Sequence, residues 1–317
     1  MNNAVSLEGL VKRYGKHRGI EGLDLKVKEG EWFGYIGPNG AGKSTTIRTM
    51  LGLIKATEGK STVLGMDSWK DREKIMEKVG YLPSEAIFYP EMTVSETLDY
   101  ALSLHGSKNK RRQKVLSERL ELDTGRKIGE LSYGNRKKVG IVCALEHNPS
   151  LLILDEPTGG LDPLMQREFF SMLEEEHRKG VTIFMSSHIL SEISAICDRV
   201  IVICNGEIVA DTKVNELSSA ITGKSTLTVE VEGSTSAVTS AINTVSGVTK
   251  VSVERQNADN CNVYTVEHES GTDIRKGVFN VMAKNNMPIL TMNEGGMSLE
   301  EAYLRLTSKN AIKGGKR

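Results

Sequence analysis

An α/β domain on a buried parallel sheet, followed by a smaller α+β unit, is the fold class that the sequence predicts, and three observations carry it. The stretch Gly37-Pro38-Asn39-Gly40-Ala41-Gly42-Lys43-Ser44-Thr45 places two glycines five apart ahead of Lys and Ser, the spacing of a phosphate-binding loop between a strand and a helix. The apolar run Leu151-Leu152-Ile153-Leu154 ends in Asp155-Glu156, as a central strand does when it delivers carboxylates to the sheet edge where ligands bind. Beyond a Ser/Thr/Gly-rich stretch at 218–225 the pattern becomes βαββαβ, the ferredoxin-like succession.

Each residue type in the glycine-rich loop has a task. Glycines let successive backbone N–H groups converge on an anion, Lys43 can reach β- and γ-phosphates, and the Ser44 hydroxyl can ligate Mg²⁺. Trp32-Phe33-Gly34-Tyr35-Ile36 reads as the buried strand before the loop, and Ile47, Met50, Leu51 and Ile54 recur at helical spacing after it. The phosphates are thereby expected at a helix N-terminus. Upstream, residues 5–27 alternate in short runs broken by Gly15, Gly19 and Gly22, which predicts antiparallel strands. Tyr14 in this lobe fits either plain packing or stacking on an adenine face.

Downstream, 59–65 reads as a turn and strand, 72–79 as a short helix, and 79–83 as a strand that ends at Pro83. Thr93 caps an amphipathic helix carrying Leu98, Ala101, Leu102 and His105, which opens an inserted helical subdomain. Leu131-Ser132-Tyr133-Gly134-Asn135 precedes Val139, Val142 and Cys143 at helical spacing. Ser132 therefore caps a buried helix whose N-terminus faces outward, as a plain cap or as a second anion-binding end. Asp155 and Glu156 suit an acid that holds a metal beside one that polarises water in line with a γ-phosphate. Gly159-Gly160-Leu161-Asp162-Pro163 turns into a helix, and the buried strand Val181-Thr182-Ile183-Phe184-Met185 ends at Ser186-Ser187-His188. That brings His188 to the same sheet edge, within reach of a γ-phosphate. Asn205-Gly206 between two apolar runs is a hairpin that closes the first domain.

The expected domains are 1–220, with the helical subdomain at about 85–148, then 221–309, then a frayed Gly/Lys tail at 310–317. The second unit reads as strands 226–232, 248–255, 262–268 and 287–293 with helices 236–245 and 272–285, and a last helix at 298–307. It holds no catalytic cluster in the sequence. Lys plus Arg equal Asp plus Glu at 41 each in the 317 residues, so no global positive field steers the chain to nucleic acid. The basic run at 108–112 reads as a solvated face. Four cysteines without a C-x-x-C pair suit reduced core thiols rather than zinc. No stretch approaches the length of a membrane span, and neither a secretory leader nor a myristoylation start is present, so membrane association is expected through another protein.

With these motifs in this order, the first 220 or so residues resemble the ATP-binding subunit of an ABC transporter. The resemblance implies a P-loop NTPase fold of antiparallel β lobe, RecA-like core and inserted helical subdomain. It gives Tyr14 the adenine-stacking position, Gly37 to Thr45 the Walker A loop, Leu151 to Glu156 the Walker B strand with Glu156 as general base, and His188 the switch histidine. Asp162 matches the loop aspartate that crosses the dimer interface. Leu131 to Asn135 stands where the family has its signature, usually LSGGQ, which caps the γ-phosphate held by the opposite subunit. Ser132 and Gly134 are kept, while Tyr133 and Asn135 replace Gly and Gln as in exporters resembling bacitracin and multidrug types. After Pro83 the family places a Gln that contacts Mg²⁺ and water, and here the position is Ser84, followed by Glu85. The stretch from Ser298 to Leu304 also looks like the tail of such exporter ATPases.

The same resemblance implies an ATPase, with ATP and Mg²⁺ as ligands and Ser44 and Asp155 on the metal. It also implies a head-to-tail dimer with itself or a homologous subunit, driving a separate membrane permease from the cytoplasmic face of the cell membrane. The alternative is a soluble ABC ATPase switch without a permease, against which stand the single phosphate loop, the absence of an internal repeat and the neutral charge balance.

Overall fold

The computed structural model describes residues 2–15, 17–106, 110–214, 225–255, 261–269 and 272–294. They fall into two compact units, divided between Val214 and Asn215. In the first, β1 (Asn3–Tyr14) and β2 (His17–Lys28) pair antiparallel. They are longer than the short runs expected, because Gly19 and Gly22 lie inside β2 and the ladder absorbs irregularity as register shifts instead of ending. Next come β3 (Trp32–Ile36), α1 (Lys43–Met50), β4 (Glu58–Val63) and β5 (Met66–Asp67). The first sheet has the order β2-β1-β4-β5.

The chain continues through α2 (Arg72–Met76), β6 (Val79–Leu82), α3 (Val94–Leu104), α4 (Arg111–Arg119) and α5 (Tyr133–Leu145). It then builds β7 (Leu151–Asp155), α6 (Pro163–Arg178), β8 (Thr182–Ser187), α7 (Leu190–Ile196), β9 (Arg199–Cys204) and β10 (Glu207–Lys213). The second sheet runs β10-β9-β3-β8-β7-β6, parallel except for the β9–β10 hairpin. Every residue of β3, β7 and β8 is buried, which is why these strands read as continuous apolar runs rather than alternations. Phe184 packs with its ring centroid 5.3 Å from those of Phe33 and Tyr35, locking β8 to β3.

Helix α3 begins with a capping box, in which Thr93 Oγ1 accepts from the Glu96 amide and Glu96 returns a carboxylate to the Thr93 amide. Of the basic run, residues 108 and 109 lie outside the described residues, and within the rest Arg112 is not on a solvated face. Arg112 reaches inward to Glu176 at 2.8 Å, a carboxylate only 7% exposed, and donates to the Leu145 carbonyl. Arg119 forks onto Glu175 and also bonds Glu168. Planar guanidinium groups thus tie α4 to α6, and at Arg112 the charge pattern alone suggested solvent. Helix α7 had no clear signal, since Ser191 and Ser194 interrupt its short apolar pattern.

The second unit contains β11 (Ser225–Glu232), α8 (Thr235–Ile242), β12 (Val248–Arg255), β13 (Cys261–His268), α9 (Arg275–Lys284) and β14 (Ile289–Glu294). Its sheet is antiparallel in the order β12-β13-β11-β14, the arrangement of a ferredoxin-like βαββαβ unit. Strict alternation of buried and half-buried residues along β13 sets Tyr264 and Val266 against Val278 and Met282 of α9. Helix α9 starts three residues later than the sequence suggested, where Asp273 accepts from the Arg275 amide. The linker expected at 218–225 falls, but for its last residue, outside the described residues, as do the final helix and the tail.

Candidate nucleotide site

The loop after β3 is set by the sheet beneath it. Gly37 N–H donates to the Ser187 carbonyl, and the Gly206 amide of the hairpin donates to Ala41, so Ala41 is buried under the loop rather than facing out. Gly42 enters α1 at φ 109° with the Gly19 carbonyl 2.9 Å from where a Cβ would stand. Only glycine fits both conditions. Helix α1 has no acidic residue in its first turn, and its leading N–H groups lack intrahelical acceptors, so that end favours an anion.

A cleft of about 310 Å³ opens over this loop, lined by Pro38, Asn39, Gly40, Gly42, Lys43, Ser44 and Thr45, with Tyr14, Gly19, Ser84 and Glu156 around it. Tyr14 stands at the end of β1, half-exposed, with Lys12 Nζ 5.2 Å from its ring centre. The Lys43 ammonium is buried and donates to the Gly37 carbonyl at 2.6 Å and the Pro38 carbonyl at 3.3 Å. It also stands 3.1 Å from Glu156 Oε1, yet that buried oxygen accepts no well-aligned hydrogen bond.

Glu156 follows β7 directly, at a left-handed φ of 49°, a conformation that costs a non-glycine residue on the order of 1 kcal/mol. Two amide contacts and a histidine fix it there. Its N–H donates toward the Ser186 carbonyl and hydroxyl, while Oε2 meets His188 Nδ1 at 2.7 Å and the His188 amide at 3.3 Å. Asp155 is buried and accepts from Ser186 Oγ at 2.6 Å. The β7 and β8 tips therefore present one carboxylate held inward and one held between a lysine and a histidine. The residues fit a polyphosphate and a hard cation: an ammonium paired only with carbonyls and one carboxylate, an incompletely satisfied Glu156 oxygen, and hydroxyl and carboxylate oxygens of the kind Mg²⁺ takes.

Other expected positions lie apart from this cleft's lining. Ser132 is exposed and caps α5, accepting from the Asn135 amide at 3.3 Å. Gly134 packs on the Gly160 carbonyl. Asp162 caps α6, accepting from the Leu164 and Met165 amides at 3.0 Å.

Lys137 was missed by motif reading. It is 1% exposed, and its ammonium donates to the carbonyls of Pro83, Ser84 and Glu156 at 3.0, 2.9 and 3.0 Å. Burial depresses its pKa to about 8, opposed by the nearby charges of Asp155 and Glu156. A signal existed: α5 is buried from Lys137 through Val142, and a lysine among such positions must find acceptors.

The fold and cleft together define a nucleotide-binding ATPase domain. The ABC transporter family profile matches residues 20–159. The chain is 32% identical to the linearmycin resistance ATP-binding protein LnrL of Bacillus subtilis over 95% of this chain and 97% of that protein. It is 37% identical to the bacitracin transport ATP-binding protein BcrA of Bacillus licheniformis, over 68% of this chain and 72% of the relative. Among solved structures, an ATP binding subunit of an ABC transporter superposes with TM-score 0.65 at 30% identity, covering 68% of this chain and 92% of the other. A dimeric bacterial ABC transporter cassette, MJ0796, does so with TM-score 0.62 at 25% identity, covering 66% and 98%. The chain belongs to the ATP-binding subunits of ABC transporters, and it is an ATPase.

Proposed function

We propose that the chain hydrolyses Mg·ATP within a head-to-tail dimer and thereby drives a separate membrane permease, in the direction of export. The observation that carries the catalytic part is Glu156 held at the cleft wall between Lys43 and His188. Lys43 has to leave the Glu156 carboxylate for the β- and γ-phosphates when nucleotide enters, which frees Oε1 to accept a proton from water. His188 then keeps Oε2 oriented. Ser44 and Asp155 would hold Mg²⁺, which supplies charge neutralisation at the phosphate oxygens.

The dimer follows from what one chain leaves undone. The Ser132-capped end of α5 is exposed and outside the lining of its own cleft, so its anion-favouring N–H groups are available to the nucleotide of a second subunit. Asp162, ahead of α6, and Gly134 would stand at the same contact. Among the described residues no helix is long and apolar enough to cross a membrane, which fits an ATPase that meets the membrane through a partner on the cytoplasmic face. Relatives named for linearmycin resistance and bacitracin transport support export as the direction.

Glu156→Gln tests the catalytic assignment through steady-state turnover. The expected outcome is a loss of about 10²- to 10⁴-fold in kcat, the scale of a general base, with ATP affinity retained because Lys43 and the loop are intact. Turnover near the wild-type rate would show that Glu156 is not the base.

A further inference from the structure

Two positions at which the sequence departs from the family's usual motifs, Tyr133 and Ser84, meet in space. The Tyr133 hydroxyl donates to the Ser84 carbonyl at 3.1 Å. That same carbonyl accepts Lys137 Nζ at 2.9 Å, and Tyr133 and Lys137 lie four residues apart on one face of α5. Lys137 extends the grip to the Glu156 carbonyl. On its other side the Tyr133 ring rests on the Gly159-Gly160 turn. A Cβ at Gly160 would come within 2.2 Å of the ring, and the φ of +81° there already disfavours a side chain. The ring and the turn therefore fit only with glycine at 160.

We propose that Tyr133 is a positioning residue for ATP hydrolysis: its hydroxyl fixes the backbone of the Ser84 segment at the cleft wall, so that α5, Ser84 and Glu156 shift together. The proposal rests on the catalytic reading of Glu156 above. A long side chain at position 84 would reach the metal and water with its own tip. Serine ends too close to its Cα for that, so where Ser84 and any bridging water stand depends on the backbone. That backbone is held by Tyr133 from the exposed side and by Lys137 from the buried side. Lys137 is the poorer probe, since its loss removes hydrogen bonds from three carbonyls at once, and only that of Ser84 keeps the Tyr133 hydroxyl as a partner.

Tyr133→Phe removes one hydroxyl and leaves the ring on Gly160. The experiment compares this variant with wild type in ATP turnover, thermal melting and amide hydrogen exchange of the segment 80–90 in the nucleotide-free protein. The expected result is a kcat lowered about fivefold, the scale of one neutral hydrogen bond, with KM for ATP and melting temperature unchanged and with faster exchange confined to the residues around Ser84. Wild-type kcat would overturn the proposal. So would a joint shift of kcat, KM and melting temperature, which marks general loosening. Failure here is separable from failure of the catalytic assignment, because only near-normal turnover in Glu156→Gln strikes the latter.

Discussion

Glu85 and Ser84 are neighbours in sequence with opposite situations. Ser84 lines the cleft, while Glu85 is exposed and outside the lining. A carboxylate brought toward the γ-phosphate would also add repulsion that only the metal could screen. Glu85→Ala should therefore leave ATP turnover and the Mg²⁺ requirement nearly unchanged in a magnesium titration, with water serving at Ser84. A large loss of activity, or a raised Mg²⁺ requirement, would assign the role to Glu85 instead. At this scale the meeting of the glycine-rich loop, Asp155, Glu156 and His188 at one sheet edge was legible, because phosphate-binding patterns restrict residue type and spacing to a few solutions. Lys137 was not, because its partners are backbone carbonyls from segments 19 and more than 50 residues away, and backbone acceptors leave no mark in sequence.

Helix α5 and its surroundings carry a pH dependence at the element scale. Burial pushes the Glu146 carboxyl up from 4.5 to about 8, with Asp99 adding in the same direction and Gln113 opposing. Between those values the unfolded chain releases a proton that the folded chain keeps, so this contribution to stability falls as pH rises from 4.5 to 8. The adjacent His147 works the other way. Its ring stacks on His105 at 3.6 Å, and burial, reinforced by His105, lowers its pKa to about 4 from 6.5, so its contribution is lost as pH falls through that range. The interval from pH 6.5 to 8 lies above the His147 window and below that of Lys137, whose pKa runs from about 8 to 10.5. It therefore isolates Glu146. Glu146→Gln should raise the melting temperature relative to wild type more at pH 8 than at pH 6.5, and an equal difference at both would contradict an ionisation cost at Glu146. The capped start of α3 and the apolar runs of β3, β7 and β8 were readable as elements, since local capping and burial decide them. The irregularities in β1 and β2 were not, because whether a glycine ends a strand or bulges it depends on the partner strand's register.

At the scale of the whole molecule, the first unit sets the groups proposed for hydrolysis apart from the helix end proposed to complete the site. Lys43, Glu156 and His188 converge in one place, while Ser132 at the start of α5 is exposed and outside the lining of that cleft. In the proposed dimer such a division would be productive, with two chains exchanging those ends across two nucleotides and assembly depending on ATP. The order of motifs made this domain legible, and the alternation of short strands and helices made the βαββαβ unit legible, whereas no residue pattern in the chain names a cargo. Size-exclusion chromatography of Glu156→Gln with and without Mg·ATP tests the central claim most directly. A dimer that forms with ATP and dissociates without it is the predicted result, since the variant binds nucleotide and cannot turn it over; a monomer at saturating Mg·ATP would contradict the shared-nucleotide clamp.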